Sequence, residues 1–149
     1  MFSPALLSIC YLLAVAWPLA KIDIREHRLP NKLVLPSFAV TLAGQLAAVL
    51  VGESWMKIVH ALAVALLVFA CGLVMNRWAG LGMGDVKLLA AMAFSLGWFS
   101  SSAVFYCVFI ALVLAGLFVL VRRKFRNQSI ALGPFLIAGF LLSSISIWQ

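Results

Sequence analysis

Two aspartates, Asp23 and Asp85, carry the chemistry this chain could perform. Only four acidic residues occur among its 149 positions: Asp23, Glu26, Glu53 and Asp85. Glu53 stands beside Lys57 and reads as a solvated loop charge. Glu26 lies among Arg25, His27 and Arg28, where local charge balance accounts for it. Asp23 follows the first long uncharged stretch and Asp85 precedes the fourth, each by three residues. Ionisable groups at the edge of apolar segments are costly and mark function. Two carboxyls a few ångströms apart cannot both ionise readily, so such a pair shares a proton. The ionised member can take a proton from water while the protonated one donates to the oxygen of a scissile carbonyl. That is aspartic proteolysis, which needs no metal, serine nucleophile or cofactor.

Asp85 lies in Gly80-Leu81-Gly82-Met83-Gly84-Asp85-Val86-Lys87. Alternating glycines permit close approach of another chain and resist helix formation. The segment therefore predicts a loop up to Asp85, which opens the fourth helix. A plain N-cap, with the carboxylate accepting from the amide of Lys87 or Leu88, explains this segment equally well when taken alone. Pairing with Asp23 shifts the balance towards chemistry.

The elements that must bring the pair together are apolar. The chain is 66% hydrophobic and 10% charged, whereas soluble domains carry about 25% charged residues. An ordinary soluble enzyme, a disordered chain and a disulfide scaffold are excluded. A membrane helix needs about 20 apolar residues. The uncharged stretches Met1–Ala20, Leu33–Gly52, Ile58–Asn76 and Asn127–Gln149 each suit one crossing. Leu88–Val121 is too long for one and breaks at Gly97-Trp98-Phe99-Ser100, which predicts a hairpin of helices near 86–99 and 103–121. The expected fold is an all-α integral membrane protein, a single domain over 1–149 with six transmembrane helices.

Ten of the eleven Lys and Arg residues fall in the loops after helices one, three and five. Basic loops stay cytoplasmic, so both termini are expected outside and both aspartates at the cytoplasmic face of the plasma membrane. This anchoring role accounts for the basic loops without nucleic acid. A cleaved signal peptide ending near Ala20 lacks the usual basic start. Cys10, Cys71 and Cys107 have no metal or disulfide spacing and read as small buried hydrophobes. His27 and His60 fall on opposite sides of the membrane, so no metal site is expected. Trp17, Trp55, Trp98 and Trp148 lie near predicted helix ends, as interfacial anchors do.

Ile22-Asp23-Ile24-Arg25-Glu26-His27-Arg28-Leu29-Pro30-Asn31-Lys32-Leu33 resembles the first aspartate motif of the type IV prepilin peptidases. Gly82-Met83-Gly84-Asp85-Val86-Lys87-Leu88 resembles their GxGDxKL motif, shared with GxGD intramembrane aspartic proteases. Gly133-Pro134-Phe135-Leu136 looks like the family's GP turn in the last helix. The resemblance extends from about residue 5 to 145. It implies a six-helix membrane peptidase whose Asp23 and Asp85 form the catalytic dyad, with Gly82 and Gly84 keeping the preceding loop thin for substrate. Gly133 and Pro134 would be loop-forming. Lys87 matches the motif lysine, either as partner of a carboxylate or as an anchor at the membrane face.

The implied partners are the lipid bilayer and prepilins or pseudopilins, which carry a basic leader before an apolar helix. Many bacterial members add a domain with paired CxxC motifs that methylates the new N-terminus. Nothing here corresponds to it, so cleavage without methylation, zinc or other cofactor is expected. Ala131 stands where larger members often have proline. The size is similar to that of the minimal peptidases of Tad pili and archaeal flagellins. Two other readings are a proton-coupled transporter and a non-catalytic scaffold of a pilus or secretion machine. The transporter reading requires an ionisable group near mid-bilayer, which the chain lacks.

Overall fold

The computed structural model describes residues 3–26, 30–121 and 132–145. They form six helices: α1 (Leu6–Glu26), α2 (Asn31–Leu50), α3 (Met56–Ala79), α4 (Met83–Gly97), α5 (Ser101–Val121) and α6 (Gly133–Ile145). The expected fourth stretch is a hairpin, with α4 starting three residues and α5 two residues before the expected 86 and 103.

Four helices are long and apolar enough to cross a bilayer: Leu6–Arg25, Asn31–Leu50, Met56–Trp78 and Ser101–Phe118. The chain is thus a multi-pass membrane protein by the length and composition of its helices. At 1.5 Å per residue, α4 reaches only about 22 Å and the described part of α6 about 20 Å.

Charge marks the end of an apolar run, not of a helix. α1 continues through Lys21, Asp23 and Arg25, because Lys, Arg and Glu are good helix formers. Pro30, with φ −71° and ψ 124°, leads into α2. α3 ends at Gly80, whose φ of +70° is left-handed backbone that favours glycine. Asn76 then holds the turn by donating to the Leu81 carbonyl.

α4 is the centre of the bundle. It touches α1, α2, α3, α5 and α6, and from Val86 to Trp98 only Lys87 and Leu89 are not fully buried. Small residues allow this close packing, as in other membrane helix pairs. α3 meets α4 through Ala61, Ala65 and Gly72, with Gly97 lying on Ala61 and Val86 on Gly72. Leu19, Leu88, Leu96 and Phe140 fill the main core.

Buried polar groups lie on the same seams. Ser8 donates to the Ala5 carbonyl, which leaves the Ser95 hydroxyl to donate to Ser8 at 2.7 Å. Gln45 Nε2 donates to the Phe94 carbonyl at 3.0 Å. His60 ties the α4–α5 turn. Its Nδ1 lies 3.0 Å from the Gly97 carbonyl and must carry the proton, so Nε2 accepts from Ser101.

Two smaller expectations change. Trp98 is buried with Phe94 in a second core cluster, whereas Trp17 within α1 and Trp55 just before α3 are exposed. Cys107 is buried, but Cys10 and Cys71 are exposed on the spans α1 and α3, where lipid replaces the protein interior as their apolar surroundings. His27, Arg28, Ala131, Trp148 and the basic run 122–126 lie outside the described residues.

The α5–α6 contact gives a stability test. A Cβ at Gly139 would run into the backbone of α5 at Cys107 and Ala111, whereas Gly116 has open space. Gly139→Ala should cost about 1–3 kcal/mol. Gly116→Ala should stabilise by about 0.5–1 kcal/mol through helix propensity. Thermal unfolding of the detergent-solubilised protein reads both.

Candidate active site

Asp23 lies in the last turn and a half of α1, and Asp85 in the first turn of α4. Both occupy the end of the bundle where α1, α3 and α5 finish and α2, α4 and α6 begin. α1 and α4 are in contact, and the two carboxyls lie within electrostatic reach of one another. The structure therefore brings together the two residues singled out by sequence.

Their surroundings differ. Asp23 is buried, and the backbone N–H of Gly133 donates to its Oδ2 at 2.9 Å. The contact leaves no room for a side chain at position 133, since a Cβ there would lie 2.6 Å from that oxygen. Pro134 follows immediately in α6. The Gly-Pro pair thus begins the last helix at the Asp23 carboxyl, rather than turning within the helix.

Asp85 has no such donor. Its Oδ1 is buried without a hydrogen-bond partner among the described residues. Asp85 is outside the four long spans. Burial, followed by the neighbouring charge of Asp23, pushes its carboxyl up to about 7. Near neutral pH it is therefore poised between acid and carboxylate.

Helix α4 starts at Met83 with Gly82 as its cap, and no side-chain hydrogen bond caps it. Asp85 is therefore not the N-cap, because the helix opens two residues earlier than the glycine spacing suggests. Gly84 is helical. A Cβ on Gly82 would lie 2.9 Å from Asp85 Oδ2, so the absence of a side chain there leaves space beside the carboxyl.

Lys87 has a hydrogen-bond partner on α2. Its Nζ donates to Asn31 Oδ1 at 3.2 Å, tying α4 to the first residue of α2. Sequence reasoning quoted Asn31 within a motif but gave it no task. The position of Asn31 just after Pro30, at a helix start, was the available signal. The donor role of the Gly133 amide was also missed, because a main-chain group leaves no residue-type signature. Among the described residues, no group of three His, Cys, Asp or Glu side chains is placed to hold a metal.

Glu53 and Lys57 form an ion pair at 2.5 Å. The hydrogen bond from Lys57 holds the partly buried Glu53 carboxyl below the usual range. Glu53 precedes α3 and Lys57 lies in its first turn, at the other end of the bundle from the aspartates.

The family model described as "Type IV leader peptidase family" matches residues 8–120. The matched segment includes both aspartates and stops short of α6. No curated protein and no solved structure matches the chain.

The raised Asp85 carboxyl predicts a pH-dependent stability. The unfolded chain releases this proton near the usual aspartate value of about 4, while the folded chain keeps it up to about 7. The contribution is full below pH 4 and lost as pH rises through 7. The unfolding temperature should fall across that window, and Asp85→Asn should flatten the dependence. A thermal-shift series in detergent checks this.

Proposed function

The chain belongs to the type IV leader peptidase family, and from that premise we propose that it is a membrane aspartic endopeptidase with Asp23 and Asp85 as its catalytic pair. The observation that carries the proposal is the electrostatic coupling of two carboxyls from separate helices at one end of the bundle. Their unlike surroundings suit a pair in which one member is ionised and the other protonated.

Hydrolysis then needs only these residues and one water. The ionised carboxylate takes a proton from water as its oxygen bonds to the scissile carbonyl carbon. The protonated partner gives its proton to the carbonyl oxygen, forming a neutral gem-diol. In collapse, the first carboxyl protonates the leaving nitrogen, the C–N bond breaks, and the partner recovers its proton from a diol hydroxyl. Both carboxyls return to their starting states. The chemistry requires no methyl donor, and the proposed reaction is cleavage alone.

The substrate proposed is a prepilin or pseudopilin, cut where its basic leader meets an apolar helix. The weight of Lys and Arg around the α1–α2 and α3–α4 junctions and after α5 supports a cytoplasmic position for the dyad in the plasma membrane. A substrate already inserted in the bilayer would reach that depth by lateral diffusion. Its peptide bond must unwind locally, and the side-chain-free edge at Gly82 offers space beside Asp85. Both the leader and this face are basic, so recruitment rests on helix packing rather than long-range attraction.

Co-expression with candidate prepilins tests the proposal, with leader removal followed by gel shift and N-terminal mass spectrometry. Wild type should cleave and leave an unmethylated N-terminus. Asp23→Asn and Asp85→Asn should each lose at least about 100-fold in rate at unchanged membrane levels. Cleavage persisting in either variant would sink the dyad. A wild type that cuts no prepilin would favour the scaffold.

A further inference from the structure

We propose that Gly133 and Pro134 are positioning residues that hold Asp23 as the ionised base, leaving Asp85 as the proton-carrying acid. This inference rests on the proteolytic reading above and deepens it.

A helix start has unsatisfied amides that favour a negative charge. In α6 nearly all of them are accounted for. The amides of Phe135 and Leu136 both turn back to the Leu132 carbonyl, at 3.0 and 3.1 Å. Pro134 has no N–H. The first turn therefore presents one amide, that of Gly133, and it donates to Asp23 Oδ2 at 2.9 Å. Glycine admits the carboxylate to the space a Cβ would occupy, and proline removes a competing donor. A hydrogen bond donated to the anion stabilises the anion. Asp85 has the opposite setting, with a buried Oδ1 that no described group satisfies.

Among the described residues, the elements packed against Asp23 bring these charged and titratable groups, besides Glu26, which ends α1 three residues on. The described residues of α6 carry none. From α4 come Asp85 and Lys87, and Lys87 donates to Asn31. From α2 comes only Lys32, which is exposed. Lys21 and Arg25 stand two residues away on α1 itself, both exposed.

The test uses the full chain in lipid nanodiscs with a synthetic prepilin peptide. Replacing Gly133 by glycolic acid through suppressor-tRNA translation turns its amide into an ester, deleting the N–H without adding bulk. The expected result is a fall in kcat of about 10- to 100-fold, with KM within about twofold. The acidic limb of the kcat–pH profile should move to higher pH, as Asp23 binds its proton more tightly. Gly133→Ala, whose methyl group displaces the carboxylate, should move both in the same direction. Leu142→Ala, on the exposed face of α6, should change neither. An ester variant with wild-type kcat and acidic limb would overturn the proposal, as would a loss confined to KM.

Infrared difference spectra of the carboxyl stretch, assigned with Asp23→Asn, follow Asp23 without any substrate. A band titrating at higher pH in the ester variant supports the positioning role even if wild type cuts no prepilin, in which case only the proteolytic reading fails. An unshifted band beside normal wild-type cleavage overturns the positioning role alone.

Discussion

The cost of a carboxyl near hydrocarbon shapes this molecule more than any other single constraint. A charge facing lipid is penalised heavily, so an acidic residue at membrane depth must be enclosed by protein. Placing α4 at the centre of the bundle meets that requirement, since five other helices touch it. Enclosure also explains its composition. Almost every residue from Val86 to Trp98 faces another helix, and alanine, glycine and serine let the neighbouring backbones come close. A helix shielded on all sides need not present a full bilayer's length of apolar surface. Its 15 residues suffice because α3 and α5 meet the lipid in its place.

The same enclosure makes the two aspartates unequal. α1 brings Asp23 beside the start of α6, where a main-chain donor meets it. α4 brings Asp85 into a position where one oxygen has lost water and gained no described partner. Identical side chains thus meet different surroundings. The proposed catalytic division of labour follows from helix placement, without any chemical difference between the residues.

Much of this was legible in the sequence, and the failures have identifiable physical causes. Scarcity made Asp23 and Asp85 stand out, since any acidic residue beside an apolar run demands a reason. Hydropathy located the six helices, four of which, among the described residues, have the length and composition of a crossing. Helix ends were misplaced where charge or glycine was taken for a boundary: Lys21 and Arg25 remain helical, and α4 opens at Met83 among the glycines rather than at Asp85. The contact between Gly133 and Asp23 joins residues 110 positions apart and uses a peptide N–H. No pattern of side-chain types could reveal it. The Lys87–Asn31 bond escaped for a related reason, because it joins residues 56 positions apart and nothing in the sequence assigns Asn31 a task.

The Gly133 donor has an evolutionary consequence. A peptide N–H is present whatever codon is used at nearly every position, so point substitution cannot readily erase it. Drift can still remove the contact by adding a side chain at position 133 or by changing where the helix begins. The rest of the described α6 bears no titratable group. Its sequence is therefore free to exchange one apolar residue for another along the face turned to lipid. Constraint on this helix should thus concentrate at its first two residues and at the buried Gly139 and Phe140, with lineages diverging freely along its outer surface.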